Sequence, residues 1–135
     1  RPEETGAALA EGWCTVGDLA WRDEEGYIYI VDRKNDMIVT GGINIYPREV
    51  EEVLHAHDAV REAAVVAAPD AHWGDAVKAF VVLNPGAASD RETLVEHCRT
   101  RLAGYKIPKE VEFIEALPRN AAGKVLRRAL RVPTK

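Results

Sequence analysis

The sequence predicts an α+β fold in which a small, mostly antiparallel sheet is flanked by helices and preceded by a β-hairpin. Three observations predict it. Short β-branched and aromatic runs are separated by turn residues, two segments carry apolar residues at helical spacing, and the two kinds of segment alternate along the 135 residues. A chain of this length has room for about one domain.

The N-terminal part predicts a hairpin. Residues 1–12 are polar and alanine-rich, and we expect a loop or a short helix there. The stretch GDLAWRDEEGYIYIVDR contains two strand-like runs, the second over 27–31, joined by an acidic segment with Gly26 that favours a turn. The following KNDMIVTGGINIYP predicts a second hairpin, whose tip is formed by Gly41 and Gly42.

A helix and two longer strands are predicted next. Pro47 begins a helix in which Val50, Val53 and Leu54 recur at i, i+3 and i+4, and we expect the helix to end near His57. Two β-branched runs, VREAAVVAA and AVKAFVVLN, flank the turn-like segment PDAHWGD. They predict neighbouring strands of one sheet.

The C-terminal half predicts a further helix and strand. Ser89 and Glu92 match a capping box that begins a second helix. The apolar stripe of that helix is formed by Leu94, Val95, Cys98 and Leu102. The segment EVEFIE predicts a last short strand.

Composition and charge exclude several classes of protein. A content of 47% hydrophobic and 30% charged residues is typical of soluble globular proteins, and a net charge of -4 gives no overall attraction to nucleic acid or anionic membrane. We expect no transmembrane segment and no signal peptide, because no apolar run is long enough. Cys14 and Cys98 lack metal-ligand spacing, which indicates reduced thiols of a cytoplasmic protein and no metal site. Because the sequence starts at Arg1 rather than Met, we expect a fragment.

The stretch LPRNAAGKVLRRALR presents a lysine in an unusual setting. Lys124 follows Gly123 and precedes an amphipathic, arginine-rich run, so its ammonium is expected at a loop-to-helix junction. A Walker loop is excluded, because Pro118 and Val125 stand where it needs a glycine and a Ser or Thr. The residues alone favour a surface lysine at the start of a C-terminal helix. In that helix Val125, Leu126, Ala129 and Leu130 would pack inward, and Arg127, Arg128 and Arg131 would face water.

Two long blocks resemble a known family. GWCTVGDLAWRDEEGYIYIVDRKNDMIVTGGINIYPREVEEVL and LAGYKIPKEVEFIEALPRNAAGKVLRRAL are similar to the end of the adenylate-forming acyl-CoA synthetases, a superfamily shared with firefly luciferase and the adenylation domains of peptide synthetases. The resemblance covers nearly the whole chain. It implies that residues 1–33 are the last segment of a large N-terminal domain and that 34–135 form a small, mobile C-terminal domain.

The resemblance also implies an activity. The chain would be the C-terminal part of an ATP-dependent carboxylic acid–CoA ligase, which converts acid, ATP and CoA to acyl-CoA, AMP and pyrophosphate through an acyl-adenylate. ATP, Mg²⁺ and CoA would bind mainly with the N-terminal domain, without which this chain is expected to be inactive. Two alternatives stay open: an adenylation domain that loads a carrier-protein thiol, and a non-catalytic α+β interaction module.

Three residues match the family's adenylation residues. Lys124 matches the catalytic lysine, which bridges the substrate carboxylate and the α-phosphate of ATP, and a flexible cation suits the charge that develops there. Asp18 matches the aspartate that binds the ribose hydroxyls, although Val16 stands where the family has a threonine. Arg33 matches an arginine near the ribose and phosphates. The structural alternatives are a turn at Asp18 and a salt bridge from Arg33 to Asp32 or Asp36.

The resemblance places a hinge and a CoA site in the chain. Lys34 and Asn35 match the hinge, with Asn35 standing where relatives have Asp or Lys. Gly41 and Gly42 match paired glycines that border the pantetheine tunnel, although a simple hairpin turn explains them equally well.

Two aromatic residues fall near positions that contact the CoA nucleotide in some relatives. An exposed ring of Trp73 or Tyr105 could stack on adenine. The alternatives are a small satellite core around Trp73 and a loop held in place by Tyr105.

Overall fold

The structure, a computed structural model, describes the backbone of residues 9–10, 13–14, 18–22, 24–25, 28–33 and 36–131, and the side chains of 24–25 and 36–131. The chain divides into two compact units, Arg1–Asn35 and Asp36–Lys135. In the described residues, no sheet contains strands from both units. The assignment of residues 1–33 to a larger N-terminal domain stays a prediction.

The first unit contains the predicted hairpin. Strand β3 (Asp18–Arg22) pairs antiparallel with β4 (Ile28–Arg33), and the register shifts between Leu19 and Ala20. The hairpin prediction is confirmed, although the second strand extends two residues beyond the predicted range 27–31. The bulge lies close to Asp18, the first residue of β3.

A still shorter strand pair precedes this hairpin. Strand β1 (Leu9–Ala10) pairs antiparallel with β2 (Trp13–Cys14). The prediction of a loop or short helix over 1–12 is therefore wrong at Leu9–Ala10. The alanine-rich composition favoured a helix, whereas the backbone groups pair with β2, and a strand of two residues is too short to show alternation in a sequence.

The second unit is built on a five-stranded sheet. Its strands are β5 (Ile38–Thr40), β6 (Ile43–Ile45), β7 (Val60–Asp70), β8 (Gly74–Leu83) and β9 (Glu110–Phe113). The order is β6-β5-β8-β7, and β9 also pairs with β8. Every pairing is antiparallel except that of β8 with β9, which is parallel. The mostly antiparallel sheet is confirmed.

The long pair β7–β8 is buried on both faces. On one face Val65, Val77 and Val81 pack with Leu54 and Leu94 from two helices. On the other face lie Ala64, Val66, Phe80 and Val82, covered by Leu117 together with the partly buried Ile114, Val125 and Leu130. Burial on both faces explains why these strands read as nearly continuous apolar runs rather than as alternating ones.

In the part of the chain that the structure describes, three α-helices accompany the sheet. They are α1 (Pro47–His55), α2 (Arg91–Arg99) and α3 (Arg127–Leu130), with a 3-10 helix at Gly104–Lys106 between the last two. Helix α1 begins at Pro47 as predicted, and it ends at His55 rather than near His57. The thiol of Cys98 in α2 is free and fully buried, and burial raises its pKa to about 11.

The predicted capping box of α2 is wrong by one residue. The N-cap is Asp90, whose Oδ1 accepts a hydrogen bond of 2.8 Å from the backbone N of Thr93. The Ser89 hydroxyl is buried and has no hydrogen-bond partner in the described residues. Both residue types can cap a helix, and the helix begins at Arg91, so only Asp90 stands at the half-helical position.

Replacing each candidate cap by alanine in the 135-residue chain tests this assignment. We expect Asp90→Ala to lower the melting temperature by about 5 °C, because it removes the N-cap acceptor. Ser89→Ala should change it little, since the hydroxyl it removes makes no hydrogen bond. Differential scanning calorimetry of both variants measures the difference, and an equal loss in the two would contradict the assignment.

The effect of Asp90→Ala should depend on pH. Hydrogen bonds from the Thr93 side chain and backbone lower the pKa of Asp90 below its ordinary value of 3.8. A carboxyl group with a lowered folded pKa stabilises the fold above its unfolded pKa, and this contribution is lost as the pH falls through the folded pKa. The difference between the two proteins should therefore be full at pH 7 and shrink below pH 3.8.

Candidate functional site

Lys124 lies on a tight turn that its neighbour Asn120 closes. The Asn120 Oδ1 accepts hydrogen bonds from the backbone N of Ala122 (2.9 Å) and of Lys124 (3.0 Å), and the backbone N of Asn120 donates to the Lys124 carbonyl at 2.9 Å. Gly123 has a φ of 85°, which a residue with a side chain rarely adopts. The sequence pattern identified Gly123 but not Asn120, although an asparagine before small residues is a common signal of a turn.

Arg119 joins this turn to the sheet. Its Nη1 donates to the Gly123 carbonyl at 2.8 Å, and its Nη2 donates to Oε1 of Glu62 on β7. Its backbone also forms an isolated antiparallel bridge with Val125. The two ends of the turn are therefore held together and against β7.

The Lys124 side chain differs from the other lysines of residues 36–131. Lys78, Lys106 and Lys109 each form an ion pair with a carboxylate. Lys124 is exposed, and within the described part of the chain its ammonium has no ion-pair partner. The turn thus holds the backbone firmly and leaves the amine available to an anion.

The expected packing of the C-terminal helix is partly wrong. Leu126 is 40% exposed and Ala129 is exposed, whereas Arg127 was expected to face water and is half-buried. Its guanidinium lies against Glu51 of α1, with Nη2 at 2.7 Å from Oε1 and 2.8 Å from Oε2. A bidentate pair of this kind outweighs the amphipathic pattern of a helix only four residues long.

The two predicted ATP-binding residues stand opposite each other in the first unit. Asp18 begins β3, Arg33 ends β4, and the two are Cα partners in the antiparallel register. Lys34 and Asn35, the predicted hinge, lie outside the described residues. The roles of all four stay predictions.

The structure brings three of the predicted CoA-binding residues into one cavity. Gly41, Trp73 and Tyr105 line a cavity of about 720 Å³, together with the cations Arg91, Arg99 and Lys109. Gly42 occupies the same hairpin turn and is not part of the lining. No local pattern predicted the three cations, because they are distant from Gly41 along the chain.

The hairpin turn and Trp73 are in direct contact. Gly41 and Gly42 have φ values of 55° and 82°, which are typical of the two-residue turns that connect antiparallel strands, so the second hairpin is confirmed. The backbone N of Gly41 donates to the Trp73 carbonyl at 2.9 Å. A Cβ at Gly41 would lie 3.0 Å from Cε3 of Trp73, whereas one at Gly42 would meet nothing within 4 Å.

Asp70 holds the other side of the Trp73 turn. Its Oδ1 accepts from the backbone N of His72 at 2.8 Å and of Trp73 at 2.9 Å. Both bonds lower the pKa of Asp70, and the bond from Trp73 has the larger effect. Trp73 is 49% exposed and Tyr105 is 46% exposed, so both aromatic residues are accessible to solvent beside the cavity.

A protein family matches the chain over this region. The family of AMP-binding enzyme C-terminal domains matches residues 49–124, which is more than half of the chain. The chain belongs to this family, and the resemblance to the adenylate-forming enzymes is confirmed. The matched range ends at Lys124.

Individual relatives agree. The long-chain-fatty-acid–CoA ligase of Bacillus subtilis is 55% identical over 130 residues, which cover 96% of this chain and 23% of the ligase. The o-succinylbenzoate CoA synthetase of Bacillus subtilis, solved with its acyl-adenylate intermediate, matches with a TM-score of 0.91 and 43% identity over 100% of this chain and 28% of the synthetase. ATP-bound MatB from Rhodopseudomonas palustris matches with a TM-score of 0.90 and 39% identity over 96% of this chain and 26% of MatB. The chain thus spans about a quarter of the length of these relatives.

Two features are absent from the described residues. Among the described helices, none has the length and apolar content that a membrane span requires. No group of three or more His, Cys, Asp or Glu side chains among the described residues is placed to hold a metal ion.

The two turn glycines provide a matched pair for testing the contact with Trp73. Both Gly41→Ala and Gly42→Ala should destabilise the chain by about 1 kcal/mol, because an alanine is strained at positive φ. Only Gly41→Ala should also displace the indole. Fluorescence in a Trp13→Phe, Trp21→Phe background, where Trp73 is the one remaining tryptophan, should change with Gly41→Ala and stay constant with Gly42→Ala. Identical spectra for both variants would show that the contact does not position the indole.

Proposed function

We propose that this chain is the C-terminal part of an ATP-dependent carboxylic acid–CoA ligase. The observation that carries the proposal is the presentation of Lys124, whose backbone is fixed by Asn120 and Arg119 and whose ammonium is exposed without a carboxylate partner in residues 36–131. In the first half-reaction the acid attacks the α-phosphorus of MgATP, forming the acyl-adenylate and releasing pyrophosphate. In the second, the CoA thiol attacks the acyl carbon and AMP leaves.

Lys124 acts in the first half-reaction. A carboxylate and a triphosphate repel each other, and attack at phosphorus spreads negative charge over oxygens of both reactants. An ammonium on a flexible stem can contact both groups and stabilise that charge. Asp18 and Arg33, which are adjacent across the β3–β4 pair, would bind the ribose and the phosphate region of ATP.

The cavity beside Gly41 acts in the second half-reaction. Trp73 and Tyr105 offer aromatic rings for adenine. The three cations pair with Glu92, Glu96 and Asp70 in the structure, and they would exchange these carboxylates for the phosphates of CoA. Gly41, which has no side chain, is the residue of the turn that lines the cavity. This combination supports free CoA as the acceptor, and the names of the relatives point to the same acceptor.

Replacing Lys124 in the full-length enzyme tests its role. We expect Lys124→Ala to slow acyl-adenylate formation by roughly 10² to 10³-fold, by analogy with the removal of one preorganised charge stabiliser. Formation of the thioester from pre-made acyl-adenylate should change far less. Pyrophosphate exchange and single-turnover thioester assays measure the two half-reactions.

The control for this test is the 135-residue chain alone. It is expected to give no pyrophosphate exchange with any acid, because it would lack the larger N-terminal domain. Equal losses of both half-reactions in Lys124→Ala would contradict a specific role of the amine in adenylation.

Removing the indole tests the CoA cavity. Trp73→Ala should raise the KM for CoA about tenfold, as expected from the loss of one base-stacking contact, and should leave adenylate formation unchanged. Phe113→Ala is the matched control, because Phe113 is 38% exposed and lies on β9 outside the cavity lining. Thioester kinetics at varied CoA concentration give both values, and an unchanged KM in Trp73→Ala would remove the indole from the site.

A further inference from the structure

Asp36 joins the start of the second unit to the segment that follows Lys124. It is the first residue of that unit, directly after the predicted hinge at Lys34 and Asn35. Its Oδ1 accepts from Nη2 of Arg131 at 2.8 Å, and its Oδ2 lies 3.5 Å from Nη1 of Arg127. The Asp36 side chain is only 15% exposed, so these ion pairs are screened less by solvent than ordinary surface pairs.

Arg127 is also held by Glu51. Arg127 donates through Nε (3.1 Å) and Nη2 (2.7 Å) to Oε1 of Glu51 on α1. That oxygen also accepts from the backbone N of Val65 on β7 at 3.0 Å. The Glu51 side chain is 15% exposed and that of Arg127 is 23% exposed. Asp36 therefore contacts a guanidinium that is already anchored to a helix and to the central strand.

The path from this guanidinium to Lys124 is short and firmly packed. Arg127 lies three residues after Lys124, and the intervening Val125 packs against the sheet face that contains Val66 and Phe80. The backbone N of Leu126 donates to the Pro118 carbonyl at 2.8 Å, and this bond joins the two ends of the loop that contains Lys124. A displacement of Arg127 therefore moves the base of the Lys124 turn.

We propose that Asp36 is a positioning residue for the adenylation half-reaction, because its pairs with Arg127 and Arg131 hold the segment after Lys124 against the first residue of the second unit. The inference rests on the proposed function and extends it. The ammonium must meet a carboxylate and a phosphate at once, so an error in its position on the order of 1 Å weakens catalysis strongly. Asp36 itself need not touch either substrate.

The test uses the full-length enzyme and three variants. Asp36→Asn keeps the shape and removes the charge, and Asp36→Glu restores the charge. Glu49→Gln is the matched control, because Glu49 lies on the same helix as Glu51 and forms a pair with the partly buried Lys106, outside the segment 119–131. For each protein, hydrogen exchange in segment 119–131 is measured together with the rates of the two half-reactions.

The expected result separates positioning from simple destabilisation. Asp36→Asn should raise hydrogen exchange about tenfold in 119–131 and not in β7 or β8, because it frees the segment without opening the sheet. It should slow pyrophosphate exchange by roughly 10- to 100-fold and leave thioester formation from pre-made acyl-adenylate largely intact. Asp36→Glu should recover part of the adenylation rate, and Glu49→Gln should keep the full rate.

Several outcomes would overturn the inference. Unchanged hydrogen exchange in 119–131 after Asp36→Asn would show that the coupling is absent, whatever the enzyme does. Increased exchange with an unchanged adenylation rate, or equal losses of both half-reactions, would show that the coupling does not position Lys124 for adenylation. A wild-type enzyme that activates no carboxylic acid would overturn the proposed function instead, and the hydrogen-exchange result would still decide the coupling by itself.

Discussion

The antiparallel pairing of β7 with β8, buried on both faces, determines where the candidate functional residues of the second unit lie. Ten residue pairs connect the two strands from Val60–Leu83 to Asp70–Gly74. Neighbouring residues of a strand point to opposite faces, so Val65 packs against the helices while Ala64 and Val66 pack against the C-terminal segment. A shift of register by one residue would exchange these two surfaces and leave both without matching partners.

Charged side chains then fix the segments that the apolar core does not reach. The turn around Lys124 is exposed, and hydrophobic burial holds it only through Leu117, Val125 and Leu130. Glu62 on β7, Glu51 on α1 and Asp36 add further constraints through arginines on either side of the lysine. The partly buried, multidentate pair of Arg127 with Glu51 is more specific in geometry than the exposed pair of Arg48 with Glu52, which adds little to stability.

The sequence predicted the elements better than the contacts between them. Apolar runs such as those around Val65 and Val81, the Gly41–Gly42 turn and the start of α1 at Pro47 carry local signals, and the structure contains each of them. The errors arose where two local signals competed or where the deciding partner was distant. Ser89 and Asp90 are both good caps, and only the helix start distinguishes them.

In the candidate site, too, local features were predictable and contacts between distant residues were not. Gly123 and Lys124 could be selected from their local pattern and from the family resemblance, whereas the partner of Arg127 is 76 residues away in sequence. No local periodicity indicates such a pair, and the amphipathic pattern predicted that Arg127 faces water. Arg91, Arg99 and Lys109 likewise meet the aromatic residues only through the folding of α2 and the 3-10 helix beside the hairpin turn.

The two candidate sites lie on different faces of one sheet, and this bears on how a two-step reaction could use them. The cavity is lined by Val77, Val95 and Ile107, which belong to or pack beside the core on the helix face, whereas the Lys124 segment covers the opposite face through Leu117 and Val125. Packed layers are about 10 Å apart, so a rigid sheet cannot present both surfaces to one reacting centre in a single orientation. If both sites serve the same bound acid, as the proposed function requires, the second unit must rotate between the two steps. A hinge next to Asp36 would then adjoin the residue whose ion pairs reach the Lys124 segment.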